Sequence, residues 1–379
     1  MKKLRLLFVI ENEAYGGGEK GFAQLINGLD PARYEFLAAC RAEGPFAEKI
    51  RHAARVIPFD MGQRFSLPGF ARLRRIIRDE GVDLVHSQGA RADLYARLAA
   101  AAAGRPSVST LQMPVEGFDV GPLRKALYVL ADKFSSLFCD RVIVVSPALA
   151  RFALERRPFS ADKVRLIYNA PGPEFFDAPA GAGRPAVPGA EGKFLIGAAA
   201  RLVWQKGFAC LIDALALIKA EEPELSSRLL CALAGEGELK EELMERARRA
   251  GLSNVVFPGF IQRPAEFLSG LDVFLLPSLR EGQPNALLEA MALGKPIIAS
   301  AIDGVIGTVE DGRDALLVPP GDARALAAAI RKAAADPGLA RRLGESARAA
   351  ARGKFSHGVF ISEHDRLYRE LAGQERRED

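Results

Sequence analysis

Short apolar stretches, many of them rich in β-branched residues, recur along the first half of the chain and alternate with longer segments of helical periodicity. This pattern predicts seven strands, at Leu4–Ile10, Tyr34–Cys40, Val56–Phe59, Asp83–Ser87, Ser107–Leu111, Arg141–Val145 and Val164–Tyr168. Amphipathic segments such as 70-FARLRRIIRDEG-81 lie between most of them. Strands that alternate with helices predict βαβ units, a parallel sheet and right-handed crossovers.

The second half repeats this organisation after a break. Residues 178–193, APAGAGRPAVPGAEGK, have no periodicity, and their composition is typical of a linker. Six further strands are predicted at Phe194–Ala199, Leu229–Ala234, Val255–Phe257, Val273–Leu276, Pro296–Ala299 and Ala315–Val318. We therefore predict an α/β protein of two doubly wound, parallel-sheet, Rossmann-like domains, residues 1–177 and 194–355, which face a central cleft. Residues 356–379 are charged and helical, and are a candidate to pack back on the first domain.

The chain length agrees with this division, and the cysteines and the first apolar run indicate the cellular compartment. A chain of 379 residues exceeds the roughly 250–300 residues that one core usually serves. The four cysteines are widely spaced in apolar runs, which favours buried thiols in a reducing cytoplasm over disulfides or a zinc site. The apolar run Leu4–Ile10 is interrupted by Arg5 and is too short for a signal peptide or a membrane span. We therefore expect a cytoplasmic protein.

The net charge of +5 belongs to the first half of the chain. Residues 1–177 hold 26 Lys and Arg against 20 Asp and Glu, whereas the remainder holds 26 against 27. This asymmetry indicates either an anionic partner or an Arg-rich solvated surface. The stretch 122-PLRKALYVLADKFSSLFCD-140 carries Arg124, Lys125 and Lys133 beside apolar positions. It is interpreted either as a helix packed on the sheet or as one that lies on an anionic membrane.

Glycines follow the first predicted strand. Gly16, Gly17 and Gly18 precede an amphipathic segment, where they would let the backbone approach a ligand and the helix N-terminus bind an anion. A flexible turn explains them equally well. The spacing is not that of the G-x-G-x-x-G dinucleotide motif, and no G-x-x-x-x-G-K-[ST] phosphate loop occurs in the chain.

Two cations follow the first strand of the second half, in 197-GAAARLVWQKGF-208. Arg201 and Lys206 are the first charges beyond this strand, and ligands of open α/β sheets bind outside the carboxyl ends of strands. A guanidinium and an ammonium together suit a diphosphate. The alternative is a pair of solvated loop cations.

Two carboxylates occur in 280-REGQPNALLEAMALGKP-296. Glu281 lies in the predicted loop and Glu289 along the predicted helix, so they could hold hydroxyls on two parts of one elongated ligand. The amides of Asn285–Leu287 would face a phosphate between them. A sugar nucleotide has this layout. Since the chain contains no D-x-D pair, we expect no metal, and Arg201 and Lys206 would neutralise the leaving diphosphate.

These motifs resemble those of the GT4 family of retaining glycosyltransferases (glycosyl transferases group 1), which have the two-domain GT-B fold. The most specific matches are the E-x7-E segment Glu281–Glu289, the R-x4-K-G segment Arg201–Gly207 and the Gly16–Gly18 loop. Supporting matches are 140-DRVIVVS-146, 234-AGEGELKEEL-243, 254-NVVFPGF-260 and 316-LLVPPGD-322. The resemblance covers nearly the whole chain.

The resemblance implies a role for each matched residue. Glu281 would contact the donor sugar, Glu289 the ribose, and Arg201 and Lys206 the diphosphate, with Glu281, Arg201 and Lys206 acting in catalysis. The full donor-binding set would comprise Gly16, Gly17, Gly18, Arg201, Lys206, Phe260, Ile261, Glu281, Gly282, Gln283, Asn285, Ala286, Leu287 and Glu289. It also implies transfer with retention and without a metal or other cofactor.

One departure from the family pattern concerns the sugar site. Many members have a His where this chain has Gln112, which keeps hydrogen-bonding capacity but cannot take a proton. Of a frequent His pair after the preceding strand, only His86 is present. His86 and Gln112 therefore remain candidates for a sugar or acceptor site, although a His at a strand end also suits a structural role.

The resulting hypothesis is a glycosyltransferase that moves a sugar from a nucleotide-sugar, a UDP-sugar, to a glycan or glycolipid acceptor of the bacterial cell envelope. No nucleic acid partner is expected, and peripheral contact with an anionic membrane is a candidate property. Two alternatives stay open: a GT-B-fold sugar-nucleotide epimerase or hydrolase, and a non-catalytic sugar-nucleotide-binding subunit.

Overall fold

The computed structural model describes residues 3–11, 16–62, 66–117, 120–177 and 187–373. The chain divides into two compact units: Met1–Asn169 together with Gly358–Asp379, and Ala170–His357.

The first unit is built on a parallel sheet. Its described residues form seven strands in the order β3-β2-β1-β4-β5-β6-β7. The strands are β1 (Leu4–Ile10), β2 (Tyr34–Cys40), β3 (Ala54–Pro58), β4 (Leu84–Gln88), β5 (Ser107–Leu111), β6 (Arg141–Val144) and β7 (Val164–Leu166). The helices are α1 (Gly17–Gly28), α2 (Pro45–Ile50), α3 (Leu67–Asp79), α4 (Ala90–Ala102), α5 (Pro122–Ser136), α6 (Pro147–Arg156) and the C-terminal α15 (His357–Leu371).

The second unit repeats the architecture. Its described part contains a six-stranded parallel sheet in the order β10-β9-β8-β11-β12-β13. The strands are β8 (Phe194–Ala199), β9 (Leu229–Ala234), β10 (Val255–Gly259), β11 (Val273–Leu276), β12 (Ile297–Ser300) and β13 (Leu316–Val318). The helices are α7 (Pro173–Asp177), α8 (Phe208–Glu221), α9 (Pro223–Arg228), α10 (Lys240–Arg249), α11 (Pro264–Ser269), α12 (Asn285–Ala292), α13 (Ala323–Ala335) and α14 (Pro337–Lys354).

The central strands are buried, as the apolar runs predict. Every residue of β9 and of β11 is buried, which is expected of parallel strands that helices cover on both faces. All thirteen predicted strands form within the described residues, six of them with the predicted bounds. The prediction of two parallel-sheet α/β domains is confirmed.

The division between the units lies earlier than the predicted boundary at residue 177. Helix α7 belongs to the second unit, where Phe175 is fully buried and the Phe176 carbonyl accepts a hydrogen bond from Arg348 of α14 at 3.0 Å. The chain is thus anchored in the second unit before the composition changes. Of the predicted linker, residues 178–186 lie outside the described residues.

Helix α15 packs on the sheet of the first unit. Tyr34 donates a hydrogen bond to Asp365 at 2.7 Å, and Arg141 forms an ion pair with Glu370 at 2.7 Å. The buried His364 lies with its ring centroid 6.0 Å from that of His86. Helix α15 therefore completes the core of the first unit.

The two buried histidines make this packing sensitive to acid. Burial lowers the pKa of His364 to about 4, and burial, with the charge of His364 as a second cause, holds the pKa of His86 well below its usual value. The unfolded chain therefore binds protons more readily than the folded one below about pH 6.5. The stability that the neutral rings provide is complete above this pH and decreases as the pH falls toward 4.

We predict that His364→Leu reduces the acid sensitivity of the first unit. One proton of difference between the folded and unfolded states changes the free energy of unfolding by about 1.4 kcal/mol per pH unit. Between pH 6.5 and 4, the free energy of unfolding of the variant should therefore depend less on pH, by up to this amount. Urea denaturation at several pH values measures it. His52→Leu, at an exposed position, is the matched control. Parallel stability curves for the wild type and His364→Leu would contradict the assignment.

Candidate active site

Two loops of the second unit meet because their strands are neighbours. Strand β8 pairs with β11 through Val273 and Ile196, so residues 200–207 and 277–284 leave the same edge of the sheet. The backbone N–H of Leu279 donates to the Gln205 carbonyl at 2.8 Å and joins the loops directly. The loops that carry the predicted cations and the predicted carboxylate Glu281 are thereby brought together.

Glycines allow these loops to approach each other. Gly207 has a φ of 65°, and a Cβ there would lie 2.0 Å from the carbonyl oxygen of Pro277. On the other side of the second loop, a Cβ at Gly304 would lie 2.5 Å from the carbonyl oxygen of Glu281. A side chain at either glycine would force the backbone apart. The backbone around Glu281 is therefore fixed from two sides.

The charged centre of the site is the ion pair between Lys206 and Glu281. Lys206 Nζ lies 2.6 Å from Glu281 Oε1, and the Ser278 hydroxyl donates to the same oxygen at 2.8 Å. The two charged side chains are only 20% and 12% exposed, so the pair is shielded from solvent. An ammonium has three N–H donors. Lys206 can therefore keep its contact with Glu281 and still bind an anion.

Arg201 lies at the exposed side of the same loop. The neighbouring Leu202 is fully buried, and the backbone N–H of Leu202 donates to the Glu236 carbonyl at 2.9 Å. A further cation, Arg280, lies over the Trp204 ring, with its guanidinium carbon 5.4 Å from the ring centroid. The two loops thus carry three cationic side chains, of which Lys206 is ion-paired with Glu281.

Helix α12 carries the second predicted carboxylate. Glu289 lies within the helix and is only 7% exposed. Pro284 directly precedes the first helical turn, and Gly294, with a φ of 70°, follows the end of the helix.

The prediction of three amides facing a phosphate requires a correction. The Leu287 N–H donates to the Pro284 carbonyl at 3.1 Å, so a tight first turn already uses it. The predicted anion contact is thus limited to the amides of Asn285 and Ala286.

The remaining donor-site predictions fall in different environments. Gln283 is buried and donates to the Thr308 hydroxyl at 3.4 Å, so its side chain supports the loop, whereas Gly282 is half-buried. Phe260 and Ile261 follow β10, which β9 separates from β8, and the Phe260 side chain is 75% exposed.

In the first unit, the glycine segment differs from its prediction. Gly16 precedes α1, while Gly17 and Gly18 form its first turn instead of a preceding loop. The Glu19 carboxylate accepts from the Gly16 N–H at 2.9 Å, so a negative charge already lies at this helix N-terminus. A Cβ at Gly18 would lie 2.5 Å from Gln88 Nε2, so a larger residue there would require the Gln88 amide to move.

His86 is part of the interior of the first unit. It is fully buried, and its ring nitrogens hydrogen bond to the hydroxyls of Tyr368 and Thr110. Both nitrogens are therefore used within the protein, which gives His86 a packing role in place of the candidate role in a sugar or acceptor site.

Gln112 joins a network of amides at the carboxyl ends of three strands. It exchanges two hydrogen bonds of 3.0 Å with Asn169 and donates to Gln88 at 3.3 Å. These side chains line a small cavity together with Thr110 and His364. Gln112 thus remains a candidate for polar contacts with a ligand.

Three polar residues of these sites were not predicted: Gln88, Asn169 and Ser278. Each lies at or just beyond the carboxyl end of a strand, namely β4, β7 and β11. The strand-end rule that selected Arg201 and Glu281 would also have selected them. Across the described ranges, no group of three or more His, Cys, Asp or Glu side chains is arranged to hold a metal ion.

Comparison with known proteins finds glycosyltransferase family models that match both units. Residues 15–171 match the model of Glycosyltransferase Family 4, and residues 184–350 match that of Glycosyl transferases group 1. The putative glycosyltransferase EpsD of Bacillus subtilis is 29% identical over 339 residues, which cover 85% of this chain and 84% of EpsD. The capsular polysaccharide biosynthesis glycosyltransferase CapM of Staphylococcus aureus is 30% identical over 175 residues, or 46% of each chain. The match to CapM thus spans about half of that protein's length.

Solved structures show the same fold. HepE from Anabaena, in a complex with UDP and glucose, superposes with a TM-score of 0.80 and 22% identity over 96% of this chain and 99% of that one. The two matched family models together cover both units. The chain belongs to the family 4 glycosyltransferases, with the two-domain GT-B fold.

Proposed function

We propose that the protein transfers a sugar from a UDP-sugar to a glycan or glycolipid of the bacterial cell envelope, with retention at the sugar carbon and without a metal ion. The observation that carries the proposal is the 2.6 Å contact between Lys206 and Glu281. It joins two family motifs, 75 residues apart in sequence, at the carboxyl edge of one parallel sheet. The binding of UDP by the structurally similar HepE supports the choice of nucleotide.

In this proposal, Lys206 and Arg201 bind the diphosphate and Glu281 binds a hydroxyl of the donor sugar. When the bond between the sugar carbon and the diphosphate oxygen breaks, the electron pair stays on the diphosphate. Negative charge therefore grows beside Lys206, whose position is already fixed by Glu281. Charges held in place before the reaction stabilise such a transition state without reorganisation.

The acceptor hydroxyl completes the reaction. Its oxygen forms the new bond to the sugar carbon, and its proton passes to the leaving diphosphate oxygen, so no protein base is needed. Retention requires that the acceptor approach from the face that the diphosphate leaves.

The acceptor class is proposed from the relatives. CapM is described as acting in capsular polysaccharide biosynthesis, and an acceptor of this kind is a cell-envelope glycan or its lipid-linked precursor. We propose that the protein acts in the cytoplasm, where nucleotide-sugars are made, at the inner face of the membrane.

The test is a turnover assay with a panel of UDP-sugars and lipid-linked glycan acceptors. We expect release of UDP that depends on the acceptor and is unchanged in excess EDTA, because cationic side chains take the place of a metal at the diphosphate. Loss of turnover on chelation, restored by Mg²⁺, would refute metal independence. Conversion of the donor without an acceptor would indicate an epimerase or hydrolase. Thermal stabilisation by a donor without any turnover would indicate a binding subunit.

We further predict that the two carboxylates of the site differ in kinetic effect. Glu281→Ala should chiefly lower kcat, because Glu281 contacts the sugar whose bond breaks. Glu289→Ala should chiefly raise KM, because the ribose does not change during the reaction. Initial rates across donor concentrations separate the two. Glu266→Ala, which removes an exposed carboxylate of α11, is the matched control. The reverse pattern would show that the donor lies in the opposite orientation along α12.

A further inference from the structure

Helix α5 is attached to the first unit through its polar side. Asp132, Ser135 and Ser136 lie on the side that faces α4, where all three accept hydrogen bonds from the Arg97 guanidinium. The Arg97 Nη1 distances are 2.8 Å to Asp132, 3.2 Å to Ser135 and 3.1 Å to Ser136. Surface helices of globular proteins usually bury their apolar side instead. Helix α5 therefore has the opposite arrangement, with its polar side toward the protein and its apolar side toward solvent.

A buried ionic network accounts for the inversion. Arg97 is only 2% exposed, and Asp132 also accepts from Arg157 at 2.6 Å. A buried guanidinium is stable only when its donors are paired. Burial opposes the charge of Arg97, but Asp93 and Asp132 raise its pKa above the usual value. The polar side of α5 is thus held inward because it neutralises Arg97 and Arg157.

The opposite side of α5 is an apolar stripe. It continues into the turn after the helix and consists of six large side chains with exposures between 40% and 77%: Leu123, Leu127, Leu130, Phe134, Leu137 and Phe138. At 100° per residue the four positions within α5 fall within one third of the helix circumference. Of the fifteen large apolar side chains that are exposed among the described residues, six lie in this stretch of sixteen. Such clustering marks an interaction surface.

The charges beside the stripe are positive. Arg124 and Lys133 are exposed on its two flanks. The acidic residues nearest in sequence within the described part are Asp132, Asp140 and Glu116. Asp132 and Glu116 are paired with Arg157, and the Asp140 carboxylate accepts a hydrogen bond from the Ser107 N–H at 2.8 Å. The outer side of α5 therefore combines an apolar centre with cationic edges and no unpaired carboxylate.

We propose that this stripe binds the surface of an anionic lipid bilayer, with α5 lying in the plane of the interface. A row of Leu and Phe between flanking Lys and Arg is the composition of an interfacial helix. With 15 residues, α5 is about 22 Å long. No helix in the described part of the chain is long and apolar enough to cross a membrane, so the helix lies on the bilayer. Binding to the membrane would bring the enzyme to a lipid-linked acceptor. In this respect the inference rests on the proposed function.

A second copy of the chain is a less suitable occupant. Two copies packed antiparallel, stripe against stripe, would bring the Lys133 flanks together and the Arg124 flanks together, and like charges at an interface oppose association. An anionic bilayer attracts both cations, and its acyl chains cover the leucines.

The experiment is sedimentation of the full chain with vesicles. Vesicles of phosphatidylcholine with 30% phosphatidylglycerol are compared with pure phosphatidylcholine, at about 0.05 and 0.5 M salt. We expect binding that is stronger to the anionic vesicles and weaker at high salt. Leu127→Asp/Leu130→Asp should reduce the partition coefficient at least tenfold. Arg124→Gln/Lys133→Gln should reduce it severalfold on anionic vesicles alone. Met244→Asp, at an exposed apolar position of α10, is the matched control and should bind as the wild type does.

The outcomes test membrane binding through α5 separately from the proposed sugar transfer. Melting temperatures and activity on a water-soluble acceptor analogue should be unchanged in the stripe variants, because the altered side chains are exposed. Undiminished vesicle binding by Leu127→Asp/Leu130→Asp would overturn the proposal. Absence of vesicle binding by the wild type would do so as well, and light scattering that shows a dimer lost in this variant would assign the stripe to a second copy. An enzyme without transfer activity that still binds vesicles through α5 would refute only the proposed function.

Discussion

The candidate donor site depends on the contact between Gly207 and the Pro277 carbonyl. Because Gly207 has no Cβ and adopts a left-handed conformation, the loops after β8 and β11 can approach within hydrogen-bonding distance. That approach puts Lys206 Nζ 2.6 Å from the Glu281 carboxylate. A larger residue at 207 would separate the loops, and the charge would no longer be fixed where a leaving group needs it. The chemistry we propose thus rests on the absence of a side chain.

The two units use polar groups in different ways. In the second unit, charged side chains lie in the loops beyond the ends of strands, where they form the candidate donor site. In the first unit, Arg97 and Arg157 are buried and hold helix α5 in place. Their partners occupy the inner side of that helix, so its leucines are left outside. A structural ion network thereby creates the apolar surface that we assign to the membrane.

Much of the fold could be predicted because each strand is a short apolar run between turn residues. Arg201, Lys206 and Glu281 could then be predicted as site residues because they follow strands, and a parallel sheet brings the carboxyl ends of neighbouring strands together. The sequence could not show that His86 would be enclosed by α15, because that contact joins residues 282 positions apart. Nor could it show which side of α5 faces the protein. Periodicity reveals two sides of a helix, but only the position of Arg97 decides which one is buried.

The central claim is that Lys206 recognises the diphosphate, and calorimetric titration with UDP and with uridine tests it most directly. The account predicts that the wild type binds UDP more tightly than uridine. Lys206→Met should lose about 10- to 150-fold in affinity for UDP, as expected for a hydrogen bond to a charged group of about 1.5–3 kcal/mol, while its affinity for uridine stays within about twofold. Arg263→Met, at an exposed position of the same unit, provides the baseline. An equal loss for both ligands, or no loss for UDP, would contradict the account.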